Sequence, residues 1–259
     1  MNHWTEMSIR YANQRNYLDS LFQIYPTIPD GIRAIEEGKW NKVEEAFEKQ
    51  DNKSMITALF QLDKFPIKDP YVAYMRRDGG SIKRNPHTVA RISGRVYEMG
   101  LSRISEICSE PAETNRQIGP MFKRWLEKGR LGYKPVSLYK FKSNKDNAIL
   151  DGGDRALAQF ARDQLNYRGD KGLDFVARFN GKYVLGEAKF LTDFGGHQYA
   201  QFNDAVSIFN ETELDAIPVA ILDGVLYIKG RHKMYKHLQD NPEQDIMSAL
   251  VLREFLYQI

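Results

Sequence analysis

A mixed α/β protein with a helical N-terminal half is the fold class that this 259-residue sequence predicts. Two observations carry it. Up to about residue 130 the apolar residues recur at three- and four-residue intervals, the period of a helix face. Beyond that point, runs rich in β-branched and aromatic residues alternate with helical stretches, and Asn180-Gly181 supplies a hairpin turn between two of the runs. The expected organisation is a helical region over residues 1–130 and an α/β core over 131–259, as two parts or one continuous domain. With 42% hydrophobic and 12% aromatic residues, the chain has enough apolar material for an ordinary core and is not expected to be disordered.

In chain order, Leu59, Phe60, Leu62 and Phe65 predict a helix ending near Pro66. Val89, Ile92, Val96 and Met99 share one face of a helix beginning at His87. Leu101, Ile104 and Cys108 continue it in a second register, so Gly100 is the expected break. A further helix starts within Pro111–Asn115 and buries Ile118, Met121, Phe122, Trp125 and Leu126 before Gly129. Residues 134–141 (KPVSLYKF) read as a short strand, and Asp154–Tyr167 as a helix with Leu157, Phe160, Ala161 and Leu165 inward. Strands follow over residues 173–179 and 182–190, then a helix over 198–210. A second hairpin is expected from Ile217–Leu222 and Val225–Ile228 through Asp223-Gly224, and a closing helix between Pro242 and Ile259.

The net charge of +3 conceals an uneven distribution. Residues 76–145 carry 16 Lys/Arg against 6 Asp/Glu, whereas residues 146–259 carry 12 against 17. A middle this basic points to a polyanionic partner. Other classes fall away. A single cysteine, Cys108, excludes an internal disulfide and a cysteine-rich zinc site, and its helical face suits the core. His3, His87, His197, His232 and His237 have no metal-ligand spacing. No apolar run reaches membrane-spanning length, and the first residues lack the apolar centre of a signal peptide. A cytoplasmic protein without membrane contact is the expectation.

The Asn180-Gly181 turn pairs residues so that Asp174 stands opposite Glu187, while Glu187 and Lys189, two apart, share a face. Phe175, Val176, Tyr183, Val184, Leu185 and Phe190 make these strands apolar on both sides, as in a sheet covered on both faces. Two carboxylates placed there need a cation between them. Oxygen ligands suit Mg²⁺, a backbone carbonyl such as that of Ala188 can add a ligand, and a lysine beside the ion can assist a water. These parts suit hydrolysis of a phosphodiester.

Asp174, twelve intervening residues and then Glu187-Ala188-Lys189 resemble the PD-(D/E)XK nuclease motif, with Leu173 where the motif usually has proline. The wider chain resembles type II restriction endonucleases. That likeness rests on the phrases over residues 69–74, 85–89, 113–120 and 186–198 (DPYVAY, NPHTV, ETNRQIGP and GEAKFLTDFGGHQ). The resemblance implies a restriction-endonuclease-like core sheet flanked by helices. It further implies Mg²⁺ (with Mn²⁺ able to replace it), cleavage of double-stranded DNA leaving 5′-phosphates, and a homodimer. Asp174, Glu187 and Lys189 are then the catalytic candidates, with Asp174, Glu187 and the Ala188 carbonyl as metal ligands. A palindromic target follows from two-fold protein symmetry.

Other residues carry two readings each. Asp154 suits a helix cap, and this superfamily often takes a further acid from that helix. Arg76, Arg77, Lys83, Arg84, Arg91 and Arg95, around Gly79-Gly80, form a basic loop and helix suited to phosphates, or a solvated surface. Asn115, Arg116 and Gln117 open a helix where phosphate or base contact and simple capping fit equally. His197, Gln198 and Gln201 follow Gly195-Gly196, where glutamine amides suit adenine edges or merely start a helix. Alternatives to a restriction endonuclease are a repair or structure-selective nuclease on the same core, and a non-catalytic DNA-binding protein with a degenerate hairpin.

Overall fold

The computed structural model describes residues 1–26, 34–111 and 118–259. They divide into two compact units, one spanning Met1–Thr27 and Glu113–Ile259, the other Ile28–Ala112. The first unit opens with α1 (His3–Ala12), capped by the Asn2 side chain, and α2 (Tyr17–Phe22). The second holds α3 (Glu37–Glu48), α4 (Asn52–Leu59), α5 (Pro70–Arg77), α6 (Ser81–Arg84) and α7 (Pro86–Ser109). Its core gathers Met55, Ile56, Leu59, Val89, Ile92, Val96, Ile104 and Cys108. Gly100 interrupts α7 with φ +72°, so the two apolar registers are two helical pieces joined at a kink, as the spacing predicts.

The helix expected to reach Pro66 stops at Leu59. Phe60, Leu62 and Phe65 still pack against the unit's core, but from a folded-back turn. Apolar spacing reports burial, and a turn meets that demand as well as a helix does.

The first unit continues with α8 (Ile118–Glu127), which buries the five predicted residues; its expected start over 111–115 falls outside the described residues from 112 onward. Next come β1 (Pro135–Val136), α9 (Leu138–Ser143), β2 (Ala148–Leu150) and α10 (Asp154–Gln164). The strand expected over 134–141 shrinks to two residues, because Ser137 caps a helix there instead, its side chain accepting from the Lys140 N–H. β3 (Phe175–Phe179) and β4 (Lys182–Leu191) form the predicted hairpin, with φ +50° at Asn180 and +78° at Gly181. That pair of positive angles gives a two-residue turn the twist of its strands. The unit ends with α11 (Gly196–Val206), β5 (Ile217–Gly224), α12 (Lys233–Asp240), β6 (Ile246–Met247) and α13 (Leu252–Gln258).

The six strands line up in chain order in one mixed sheet. β1–β2, β4–β5 and β5–β6 are parallel, while β2–β3 and β3–β4 are antiparallel. The second hairpin is absent: Val225–Tyr227 forms a 3₁₀ turn. Both edges of β5 are taken by β4 and β6, leaving no place for a returning strand. The closing helix shortens for the same reason, since part of its expected span supplies β6. Gly186 is required where β4 meets β5, since a Cβ there would lie 2.5 Å from the Val219 carbonyl oxygen.

Helices cover both sheet faces, as the two-sided apolar strands predict. Phe175, Ala177, Phe179, Val184, Ala188, Val219 and Ile221 pack on one side with Leu21, Phe122, Trp125 and Phe255. On the other side, Val176 and Leu185 join Leu157, Phe160 and Ala161 of α10. Leu191, Ala220 and Leu222 join Phe202 and Ala205 of α11 in a separate cluster. The N-terminal helix closes the far edge: the Thr5 hydroxyl donates to the Ile246 carbonyl and Asn2 to Asp245, both at 2.8 Å.

Candidate active site

Strand alternation sets the site. On the face shared with α10 and α11, Leu185 belongs to the first apolar cluster and Leu191 to the second. Glu187 and Lys189 lie between them on that face, where the apolar cover is interrupted. The hairpin pairs Phe175 with Gly186, and the Asp174 N–H donates to the Gly186 carbonyl at 3.1 Å. The expected register holds as far as Phe175–Gly186; Asp174 lies just beyond that last pair and bonds at the level of Gly186, so it stands beside Glu187 rather than paired with it.

All three side chains converge. Lys189 Nζ donates to Glu187 Oε2 at 2.7 Å and to Asp174 Oδ2 at 3.0 Å. Asp174 Oδ2 also accepts the Ala188 N–H at 2.9 Å. Exposure of the side chains is only 12% for Asp174 and 11% for Glu187, against 28% for Lys189. Burial pushes the Glu187 carboxyl up to about 7; the Lys189 ammonium opposes that rise and the Asp174 carboxylate adds to it. Burial by itself would lower the Lys189 ammonium, but Asp174 and Glu187 together outweigh it and hold the proton more tightly than usual. One ammonium thus balances two neighbouring carboxylates.

The Ala188 carbonyl shares this opening. Within a strand, the N–H and C=O of one residue point to the same edge. The Ala188 N–H points to Asp174, beyond the last paired residue of β3, so its carbonyl takes the edge where β3 has ended. Two carboxylates and one main-chain carbonyl make an all-oxygen donor set. Among the described residues no group of three His, Cys, Asp or Glu side chains gathers at one point. Water and phosphate would supply the remaining ligands of a small divalent ion, as Mg²⁺ prefers.

A family model described as Tsp45I type II restriction enzyme matches residues 2–259. The chain belongs to the Tsp45I type II restriction enzyme family. No curated protein and no solved structure matches it. As a Tsp45I-family enzyme it is a site-specific deoxyribonuclease of a restriction system, a hydrolase acting on DNA in a family type that is generally metal-dependent. No helix among the described residues is long and apolar enough to cross a membrane.

The remaining candidates of the Tsp45I-family chain fall in several places. Asp154 lies in the first turn of α10, after the cap residue Gly153, and its carboxylate pairs with Lys123 at 2.5 Å. Gln198 is buried and its Oε1 accepts the Thr192 N–H at 3.0 Å, so it fastens the loop after β4, whereas His197 is exposed and Gln201 half-buried. In the helical unit Arg76, Arg77, Lys83, Arg84, Arg91 and Arg95 are all exposed. Arg84 pairs with Asp78, Arg91 with Asp69, and Arg91 also lies over the Tyr71 ring. Tyr71 and Tyr74 are exposed in the same unit, an aromatic component the charge count passes over. Asn115, Arg116 and Gln117 lie outside the described residues.

One group escaped the sequence reading altogether. Asp223, expected in a turn, is fully buried on the sheet face opposite Glu187. It accepts from the Tyr25 hydroxyl at 2.9 Å, the Ser248 hydroxyl at 2.5 Å and the Ala249 N–H at 3.3 Å. Burial pushes its carboxyl up to about 6 against the pull of these donors. The signal was available, since Asp223 ends an apolar run over Ile217–Leu222.

Proposed function

We propose that this Tsp45I-family enzyme cuts both strands of a short palindromic DNA site with Mg²⁺, or Mn²⁺ in its place, on a PD-(D/E)XK core. The observation that carries the reading is the Lys189 ammonium bridging Asp174 and Glu187 at the edge where β3 stops. Asp174, Glu187 and the Ala188 carbonyl would hold the ion. Bound there, it supplies Lewis-acid polarisation of the phosphate and a more acidic water. Lys189 donates a hydrogen bond to the attacking water or to a phosphate oxygen and balances the charge that grows on phosphorus. Asp174 holds the Ala188 N–H and so steadies the strand at the residue whose carbonyl would face the ion. The exposed cations of the helical unit, with Asn115, Arg116 and Gln117, are assigned to gripping the duplex. A two-fold homodimer matches a two-fold site.

Digesting a plasmid of known sequence with Mg²⁺ and with EDTA, then sequencing the fragment ends, tests the reading. Discrete fragments with symmetric ends, absent in EDTA, are expected. A smear, cutting in EDTA, or asymmetric ends would each overturn a stated part of it.

A further inference from the structure

The most acidic stretch of the chain contains a local exception. From Val225 to Gln239 there is no Asp or Glu, while Lys229, Arg231, Lys233 and Lys236 fall within eight residues. All four are exposed, and among the described residues none has an acidic partner. Two other cations of this unit are paired instead, Arg168 with Glu213 and Lys171 with Asp204. Unpaired charge concentrated in this way favours a polyanion over bulk solvent.

Aromatic surface lies within the same patch. Phe194, 47% exposed, stacks on His232 with ring centroids 4.1 Å apart and planes 29° apart. The His232 ring is fixed in turn, since Nδ1 accepts the Tyr235 N–H at 3.2 Å and Nε2 meets the Ile228 carbonyl at 2.8 Å. Lys233 Nζ lies 5.3 Å over the Tyr199 ring. Phe194, Tyr199, Arg231, His232 and Lys233 line an open cleft of about 320 Å³. An exposed ring that is held still beside free cations offers a sugar or base a surface at little entropic cost.

The patch is tied to the candidate site by a short piece of chain. Phe194 comes five residues after Lys189, which limits their separation to roughly 18 Å at about 3.6 Å per residue. Gln198, bonded to the Thr192 N–H, pins the connecting loop. Successive phosphates of one strand advance about 3.4 Å along the duplex axis, so the patch reaches within a few nucleotides of a phosphate held at Glu187.

We propose that Lys229, Arg231, Lys233 and Lys236 grip DNA phosphates adjoining the cut, with the Phe194–His232 stack against the neighbouring sugar or base. The location rests on the catalytic reading of Asp174, Glu187 and Lys189. Equilibrium binding of a duplex carrying the cut site, followed by fluorescence anisotropy in EDTA across a salt series, tests it. The proteins are wild type, Arg231→Gln/Lys233→Gln, Phe194→Ala and Lys189→Ala, each checked by thermal unfolding.

The double variant is expected to bind about ten- to hundredfold more weakly near 0.1 M salt, and the slope of log K against log salt should fall by about 2 for each protomer bound. Phe194→Ala should weaken binding with the slope kept. Wild-type affinity and slope in the folded double variant would overturn the proposal, as would weaker binding with an unchanged slope. Lys189→Ala separates the two readings: if it still cuts, the catalytic assignment fails, and if it binds but does not cut, the binding data judge the patch alone.

Discussion

The Asp174 carboxylate accepts a hydrogen bond from the main-chain N–H of Ala188 at 2.9 Å, so the acid beside one strand holds the Glu187–Ala188 peptide of the other. The carboxylate has two separable roles, one from its oxygen and one from its charge. Asp174→Asn keeps an acceptor for that N–H and loses the charge. Its cleavage rate is expected to fall by about a hundredfold or more, with little change in thermal midpoint. Asp174→Ala loses both and should also cost about 1–2 kcal/mol of stability. Single-turnover cleavage with parallel unfolding curves checks this, and near-native cutting by Asp174→Asn would remove Asp174 from the chemistry.

Removing the bridging cation leaves two buried acids side by side. Breaking a fully buried pair costs about 3–5 kcal/mol; Lys189 is 28% exposed, so Lys189→Met should cost roughly 1–3 kcal/mol. Ca²⁺ should restore part of that loss, raising the midpoint of the variant more than that of the wild type. Equal shifts in both proteins would argue against a divalent ion between Asp174 and Glu187.

Gly186→Ala tests the packing that sets the site. Its Cβ would press on the Val219 main chain, forcing β4 and β5 apart beside Glu187. Destabilisation of about 1–3 kcal/mol is expected in urea unfolding, with slower cleavage at temperatures where the variant remains folded. Native stability in this variant would show that the two strands can separate freely.

Asp223 gives a pH signature with a definite sign. Its carboxyl is raised to about 6 from an ordinary 3.8, so between those values the folded protein binds more protons than the unfolded one. Its contribution to stability is greatest below about pH 4 and is lost as pH rises to about 6, by roughly 3 kcal/mol at about 1.36 kcal/mol per unit. Asp223→Asn should flatten that slope in unfolding curves taken from pH 4 to 7. An unchanged slope would place the titration elsewhere.

The hairpin was legible because its information is local. Asn180-Gly181 dictates the turn, the turn dictates the register up to Phe175–Gly186, and the register brings Asp174 to the end of β3 beside Glu187. Asp223 shows where local reading fails. An Asp-Gly pair marks the end of a strand as well as a hairpin, and only the occupancy of both β5 edges decides between them. Segments 60–65 and 134–141 failed similarly, since apolar content fixes burial without fixing backbone form. Lys229–Lys236 was invisible to segment charge because it lies within an acidic stretch, and its significance comes from which cations lack partners in space.

The hydrogen bonds from Asn2 and Thr5 to Asp245 and Ile246 close the far edge of the sheet across 243 and 241 residues of chain. Contacts of such separation are late events, because the loop between them must be closed first. During synthesis, Thr5 of α1 is made 241 residues before its partner Ile246 of β6. The Asp174–Lys189 hairpin is translated before that strand, so the closing of the sheet's far edge comes only once β6 has been made. A chain that has not yet reached β6 is therefore expected to be poorly ordered around the Asp174–Lys189 hairpin while it is still held on the ribosome.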